Sequence, residues 1–221
     1  MIRTRAVLVL LGLGSCLLVP AHASARNEAS VGTSPPDSLP QAQASRPVAE
    51  SAGYRFPSGR EQLKGWALNA FGPSAVAGSV VSAAWGQWVI DEPPEWPGSG
   101  RGFAQRFGAA SLTTAITETS FSLLSAASRQ DTRYYRCPCT GLGPRLAHSI
   151  RMTFMARRPD GSAVFSVAKT VSPFVGPLVT RTTIYPERYT CGDGALSGAY
   201  SLLMNAGWNL AYEFVLKSPR W

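Results

Sequence analysis

The segment at residues 102–128, GFAQRFGAASLTTAITETSFSLLSAAS, decides the fold because it is the longest helical candidate of this 221-residue chain. Glu118 is the one charged residue in its apolar part, residues 107–128. Upstream, residues 60–71 repeat apolar side chains at the i, i+3, i+4 and i+7 spacing of one helix face. Both segments predict a mainly helical fold. The repeated apolar positions are Leu63, Trp66, Ala67 and Ala70.

Proline and glycine divide the rest of the domain into further helical stretches. Gly72-Pro73 ends the first helix, and three prolines in residues 91–100 mark a loop. Pro173 and Pro177 interrupt the region that follows, in which residues 164–171 also fit a strand. We therefore expect a mainly α fold, a bundle of about five helices. The remaining helices are expected at residues 74–90, 142–156 and 193–217, the last with Asp193 as its N-cap.

Small residues recur every fourth position on two of these helices. Such faces let two helix backbones approach closely, in lipid and in soluble Ala-rich and Gly-rich bundles alike. Residues 65–90 and 194–212 also carry no charge, so each is long enough to cross a bilayer, although polar residues and a proline interrupt them. We expect helix packing at Gly78, Ser82, Gly86, Gly194 and Gly198.

The N-terminal residues 1–25 match a secretory signal peptide. Two arginines precede an apolar run, and small residues follow at the positions that a signal peptidase requires. As an alternative, Cys16 in Leu-Gly-Ser-Cys lies in a lipobox and would anchor the protein by a lipid. Residues 26–54, rich in Ser, Ala, Pro and Gln, are expected to form a disordered linker ahead of a helical domain at residues 55–221.

The chain carries a net charge of +8 with only 15% charged residues, and its arginines cluster in the middle. On a helix at residues 142–156, basic side chains fall on one side and an apolar strip on another. A basic amphipathic helix binds an anionic lipid surface, whereas the structural alternative is that these arginines cap helices. An exported protein is expected to contact a membrane or anionic envelope polymer and no nucleic acid. The candidate contact residues are Arg145, His148, Arg151, Arg157 and Arg158.

Three cysteines follow the predicted signal peptide, and an oxidising compartment favours a disulfide among them. We expect Cys191 to pair with Cys137 or Cys139, which would close a loop of roughly fifty residues. The alternative is a Cys₃His zinc site completed by His148, but Cys-x-Cys is not the usual zinc-knuckle spacing. The prediction is a disulfide, with no metal and no cofactor.

Catalytic motifs are missing from the sequence, which contains no G-x-S-x-G, H-E-x-x-H or P-loop. A polar cluster at Asp131, Arg133 and Tyr134 is expected to lock a helix end, and it is the first place to test if an activity is claimed. Glu118 fits the polar face of an amphipathic helix or, alternatively, a buried carboxylate.

Two motifs in the middle of the chain are distinctive, RFGAA at residues 106–110 and QDTRYY at residues 130–135. They resemble a family of exported bacterial proteins with no known activity, in which an R-[YF]-G-A-A helix leads into an [HQ]-[DE]-P-R-Y-[YF] element. The resemblance covers residues 100–214 and implies a helical envelope protein. The chain departs from the family at Thr132, where the family has proline, and at its cysteines. Supporting matches are Ser122-Leu123-Leu124, Tyr185-Pro186, Asn209 and Glu213-Phe214.

These features together predict an exported helical protein of the cell envelope with a structural or interaction role, peripheral to a membrane. Its expected partners are a membrane surface or an anionic envelope polymer. Another envelope protein is a further candidate partner. Two alternatives stay open: a small integral membrane protein that packs through its glycine faces, and a hydrolase whose site the sequence does not reveal.

Overall fold

The computed structural model describes residues 54–216. The predicted signal peptide at residues 1–25, the Cys16 anchor, and all of the predicted linker except residue 54 lie outside the described residues. From Arg55 onward the described residues belong to one compact unit.

Residues 54–216 fold into six helical segments and one small hairpin, so the chain is mainly α as predicted. The first two segments follow each other directly and make one kinked rod, which leaves five helical rods. The helices are α1 (Gly59–Phe71), α2 (Pro73–Trp88), α3 (Gly100–Ala127), α4 (Leu142–Met152), α5 (Val167–Thr183) and α6 (Cys191–Phe214); the strands are β1 (Met155–Arg157) and β2 (Ala163–Phe165).

Local sequence signals explain where the first rod begins and bends. The hydroxyl of Ser58 accepts from the backbone N–H of Glu61, and the Glu61 carboxylate accepts from the backbone N–H of Ser58. This reciprocal capping box satisfies donors that a helix N-terminus otherwise leaves unpaired. Gly72 then leaves the helical conformation, and Pro73 occupies the first position of α2, where its missing N–H costs nothing.

The four long rods pack side by side in the order α2, α3, α5, α6. In addition, α1 packs on α3, and α4 packs on α6. Since the rods alternate in direction, their connections gather at two ends. We call residues 89–99 with residues 184–190 the proline end, and residues 128–141 with residues 153–166 the hairpin end. At the hairpin end β1 pairs antiparallel with β2, and Asp131 forms a further bridge to Arg157.

Glycines allow the closest helix contacts, as the sequence predicts for two of them. A Cβ at Gly194 would lie 2.9 Å from the Cα of Leu178, and one at Gly198 would lie 2.8 Å from the Cα of Phe174. Both glycines are therefore needed where α6 crosses α5. Gly176 has the same role between α5 and α3, where a Cβ would collide with the carbonyl of Thr113.

The three small residues of α2 behave differently from those of α6. Gly86 faces the carbonyl of Glu92 in the following loop and the side chain of Arg106 on α3. Gly78 has open space at the position of a Cβ, and together with Ser82 it borders a cavity. The glycines of α6 therefore lie against the backbone of α5, whereas on α2 Gly86 lies against a loop carbonyl and a side chain of α3 and Gly78 lies against no other group of the described residues.

Helix α5 contradicts the expectation that its prolines interrupt it. The helix runs through Pro173 and Pro177, and both are buried. Side-chain hydroxyls take up carbonyls along this helix: Ser172 donates to the carbonyl of Ala168 at 2.6 Å, and Thr180 donates to that of Gly176 at 3.0 Å. The strand alternative for residues 164–171 is limited to β2, since the helix begins at Val167.

Two predicted helix bounds were also wrong. The helix expected at residues 142–156 stops at Met152, because the chain turns there into β1. Helix α6 begins at Cys191 with Thr190 as its N-cap. Asp193 is the third helical residue, and its carboxylate accepts from the backbone N–H of Thr190 at 2.8 Å.

The disulfide prediction requires a correction. Cys137 and Cys139 are joined to each other, with Cα atoms 5.1 Å apart, so neither is joined to Cys191. The backbone N–H of Cys137 donates to Glu213, at the far end of α6 from Cys191. A helix rises about 1.5 Å per residue, so about 33 Å separate Cys191 from this region, far beyond the reach of a disulfide.

Candidate functional site

The edge helices α2 and α6 turn their large apolar side chains outward. On α2, Trp88 is 73% exposed, and on α6, Leu203 is 66% exposed. The exposed positions recur at helical spacing, so each helix has one continuous outer apolar face. On α2 this face comprises Val76, Val80, Val81, Trp85 and Trp88, and on α6 it comprises Leu196, Tyr200, Leu203, Met204 and Trp208.

The interior shows the opposite composition. Among residues 54–216, no leucine, isoleucine, valine or phenylalanine is fully buried. The fully buried side chains include Glu213, Asp131 and Thr180 instead. In a water-soluble domain, aliphatic side chains dominate the fully buried positions and carboxylates are almost never among them unless paired. The described interior is therefore built mainly from small and polar side chains, while many large apolar side chains lie on the outside.

Helix α4 repeats this arrangement at the hairpin end. Leu142, Leu146 and Ile150 are exposed along one strip. Two of the predicted surface residues face the protein instead: Nε of Arg145 donates to Glu213 at 2.7 Å, and Nε2 of His148 lies 2.8 Å from the carbonyl oxygen of Tyr135. The apolar strip, rather than these two basic side chains, is what α4 presents outward.

The remaining three predicted contact residues divide between surface and interior. Arg151 and Arg158 are exposed. Arg157 is half-buried, and its guanidinium carbon lies 4.5 Å from the ring centre of Tyr135, which is a cation–π contact. Hence only Arg151 and Arg158 are fully available to an outside anion.

Glu213 is the centre of a buried cluster that sequence reasoning quoted only as part of a motif. Its carboxylate accepts from Arg145 at 2.7 Å, from the hydroxyl of Tyr134 at 2.8 Å and from the backbone N–H of Cys137 at 3.1 Å. Arg136 donates to the Glu213 carbonyl at 2.7 Å. A fully buried carboxylate needs this many donors to remain charged. Burial raises the pKa of Tyr134 to about 12, assisted by the nearby Glu213.

Asp131 and Arg133 form the second cluster of the hairpin end, next to the bridge that Asp131 makes with Arg157. The Asp131 carboxylate accepts from Arg133 at 2.8 and 3.0 Å and from the hydroxyl of Tyr135 at 2.6 Å. Burial alone would raise the pKa of Asp131, but these hydrogen bonds outweigh it and lower that pKa. Tyr134, the third predicted member, belongs to the Glu213 cluster instead.

Arg106 organises the proline end. Its side chain is only 3% exposed. The guanidinium donates to the side chain of Gln87 at 2.7 Å and to four backbone carbonyls. These carbonyls belong to Glu92 at 3.0 Å, Pro93 at 2.8 Å, Trp96 at 3.2 Å and Pro97 at 3.4 Å. One buried arginine therefore holds the loop between α2 and α3 in place.

A polar cavity of about 220 Å³ lies among the four long helices, and we call it the hydroxyl cleft. All four helices supply small or hydroxyl-bearing residues to its wall. At the proline end the wall includes Arg181 and Tyr185. The hydroxyls come from Ser79 and Ser82 of α2, Thr113 and Thr114 of α3, Thr180 of α5, and Ser197 and Ser201 of α6.

A smaller cavity of about 100 Å³ lies between α1 and α3. Glu118 and Asn69 line it, and Glu118 is half-buried. Nε1 of Trp66 donates to Thr119 at 3.1 Å and closes one side. Glu118 thus faces a helix seam rather than the open polar face expected of it.

The zinc and hydrolase alternatives find no assembled site in the described part of the chain. Cys137 and Cys139 are joined as a disulfide and so do not offer two thiolates. Across residues 54–216 no three His, Cys, Asp or Glu residues are placed to hold a metal ion. Asp131 and His148 bond to neighbouring side chains and backbone, while Oε1 of Gln130 beside Asp131 is buried without a hydrogen-bond partner in the described residues.

The kinked rod of α1 and α2, Gly59–Trp88, is long and apolar enough to cross a membrane. Only 17% of the residues in its most apolar window are buried, which distinguishes it from the core helix of a soluble domain. No family model, curated protein sequence or solved structure matches the chain. The functional argument therefore depends on the chemistry of the described residues.

Proposed function

We propose that this protein is an integral membrane protein of the cell envelope with a structural or interaction role. In this proposal the rod of α1 and α2 and the uncharged stretch of α6 cross the lipid, α3 and α5 pack with them, and the proline end and the hairpin end lie at the two membrane surfaces. This proposal takes up the integral alternative in place of the peripheral protein expected from the sequence. The observation that carries it is the outward apolar face of both edge helices around a polar interior.

The spacing of charges along α6 supports a spanning position. Asp193 and Glu213 are its acidic residues, and the stretch between them carries no charge. Their separation of 20 positions corresponds to about 30 Å of helix, close to the thickness of the hydrocarbon core of a bilayer. The α2 rod likewise ends in Trp88 at the proline end, where an aromatic ring suits the lipid–water boundary.

The two ends fit the polar surfaces of a membrane. Arg181 and Arg188 lie with Tyr185 and Tyr189 at the proline end, and guanidinium groups stack on these rings at 4.0 to 4.9 Å. Tyrosine and arginine are favoured where hydrocarbon meets headgroups. At the hairpin end, the apolar strip of α4 with exposed Arg151 nearby suits a helix lying in the lipid surface.

Export to an envelope membrane rests on the sequence pattern of residues 1–25. We expect a mature N-terminus near residue 24 or 26, or at a lipidated Cys16. N-terminal sequencing and mass determination of protein from the native membrane distinguish these outcomes. A chain that still begins at residue 1 and is recovered from the cytosol contradicts the export part of the proposal.

Tryptophan quenching by lipid tests the membrane position directly. Single-tryptophan variants, with phenylalanine at the other tryptophan positions, are reconstituted into vesicles whose acyl chains carry bromine. We expect strong quenching of Trp85 and Trp208, which are exposed on the outer faces, and little quenching of Trp96, which is buried at the proline end. Bromine quenches only at close range, so the buried tryptophan is the matched control.

The alternative to lipid is that a second copy of the chain covers the outer apolar faces in solution. In that case the protein leaves membranes in carbonate, and Trp85 and Trp208 are quenched no more than Trp96. An integral protein instead stays with the membrane in carbonate and high salt and is released only by detergent. Equal quenching of the three tryptophans overturns the proposal.

A further inference from the structure

Arg181 at the proline end has an unusual set of contacts for a largely covered arginine. Its side chain is 21% exposed. Its guanidinium stacks on Tyr185 at 4.0 Å and on Tyr189 at 4.9 Å. Within residues 54–216 its N–H groups make no hydrogen bond, and its nearest carboxylate oxygen, on Glu92, is 4.0 Å away. A guanidinium has five N–H donors, so this site holds several unused donors.

The hydroxyl cleft adds further donors beside this arginine. Ser79 is only 4% exposed, lines the cleft, and makes no hydrogen bond within residues 54–216. The Ser79 oxygen is not a fully enclosed atom, so its hydroxyl is free to donate to a ligand or to water in the cleft. Thr114 and Ser197 line the same cleft from two other helices, whereas the hydroxyl of Ser201 already donates to the carbonyl of Ser197 at 3.0 Å.

We propose that the hydroxyl cleft binds a phosphate group, with Arg181 as the charged contact and the serine and threonine hydroxyls as further donors. The donors come from several directions, which suits the tetrahedral oxygens of phosphate better than a flat carboxylate. The cleft volume of about 220 Å³ accommodates a headgroup-sized molecule. The phosphate belongs either to a phospholipid headgroup or to a free phosphate. The site itself does not depend on the membrane position proposed above.

Glu92 sets a limit on the charge of the site. Its carboxylate accepts from the hydroxyl of Tyr189 at 3.0 Å and lies near Arg181. A negative ligand beside Arg181 is repelled by this carboxylate. Replacement of the charge by an amide, Glu92→Gln, is therefore expected to tighten phosphate binding, while a water-filled cleft without a ligand site predicts no such gain.

Isothermal titration of the full chain in detergent tests the site with two probes, inorganic phosphate and dihexanoyl phosphatidylglycerol. Sodium chloride at matched ionic strength controls for general charge effects. For whichever of the two probes binds the native chain, we expect Arg181→Ala to weaken binding about tenfold or more, since it removes a charge-assisted contact. Arg158→Ala removes an exposed arginine at the hairpin end and should leave binding unchanged.

Two further variants keep the test valid if Arg181→Ala does not fold. Arg181→Lys preserves the charge but loses the planar fork, so it should bind more weakly than the native chain and more tightly than alanine. Ser197→Leu fills the cleft from α6 without touching the arginine and should also abolish binding. Helix content by circular dichroism shows whether each variant is folded.

The two probes separate the sources of the phosphate. Binding of inorganic phosphate that depends on Arg181 assigns a free phosphate ligand. Binding of the lipid probe alone, with the same dependence, assigns a headgroup. If neither probe binds the native chain, or if Arg158→Ala weakens binding as much as Arg181→Ala, the inference is overturned, whatever the tryptophan experiment shows about the membrane.

Discussion

The two ends of the helix row solve the burial of charge in opposite ways. At the hairpin end the fully buried groups are carboxylates, Asp131 and Glu213, and each is paired with an arginine, 2.8 and 2.7 Å away respectively. At the proline end the buried group is a cation, Arg106, and its main acceptors are neutral carbonyls. Within residues 54–216 its only carboxylate contact, with the exposed Asp91, is 3.5 Å long.

This difference separates a closed arrangement from an open one. The hairpin end pairs each of its two fully buried carboxylates with an arginine. The proline end keeps a buried positive charge that is held mainly by neutral carbonyls, with one long contact to Asp91, and it adds Arg181 with unused donors beside the hydroxyl cleft. The hairpin end is therefore suited to hold the fold, and the proline end is where a negative ligand gains most.

The largest effect is expected from removal of Arg106. Arg106→Ala leaves several buried carbonyls and Gln87 without their donor, and each unsatisfied buried group costs free energy. We expect the free energy of unfolding to fall by about 4 kcal/mol, or folding to fail. Unfolding in mixed micelles followed by circular dichroism measures this. Arg101→Ala, on an exposed arginine of the same helix, should change stability by less than about 0.5 kcal/mol, and an equal loss in both variants would contradict the role of Arg106.

A second prediction concerns the acid stability that Asp131 gives the hairpin end. Because the folded-state pKa of Asp131 is lowered, its stabilising contribution is fully present above the unfolded-state pKa of about 3.9. The contribution disappears as pH falls through the lower folded-state pKa. Asp131→Asn should cost about 3 kcal/mol at neutral pH and flatten the acid part of the stability curve. Unfolding measured between neutral and acid pH checks it, and parallel curves for variant and native chain would refute it.

The smallest expected effects come from two tyrosines, one at each end, and they compare the two ends directly. The Tyr134 hydroxyl donates to the fully buried Glu213 at 2.8 Å, and the Tyr189 hydroxyl donates to Glu92, whose side chain is 43% exposed, at 3.0 Å. Tyr134→Phe should cost about 1.5 kcal/mol and Tyr189→Phe well under 1 kcal/mol, because water can replace the second bond. Equal losses in the two variants would show that the ends do not differ in this way.

The helices themselves were largely predictable from the sequence. Apolar spacing, Gly72-Pro73 and the prolines of residues 91–100 located α1, α2 and α3 to within about two residues. Close packing at Gly194 and Gly198 also followed from their spacing. These features depend on neighbours in the chain, which is why one sequence suffices to predict them.

Long-range pairing could not be predicted in this way. Glu213 pairs with Arg145, 68 positions away in the sequence, and Tyr189 bonds to Glu92, 97 positions away. No local sequence pattern predicts either contact. Both the disulfide and the direction of the α4 basic residues were misjudged for this reason. The prolines of α5 misled because proline is a local signal for a helix break, whereas this helix runs through both buried prolines and packs closely on α3 at Gly176. The low share of charged residues indicated that apolar side chains would be exposed. Which helix faces carry them could be seen only in the structure.

The hydrogen bonds of Arg106 also bear on how the protein opens. The guanidinium belongs to α3, whereas most of the carbonyls it binds belong to the loop that follows α2. Neither the loop nor the neighbouring helix ends can detach alone without stranding the other's polar groups. Their backbone amides should therefore exchange with deuterium together, as one cooperative gate at that surface of the protein.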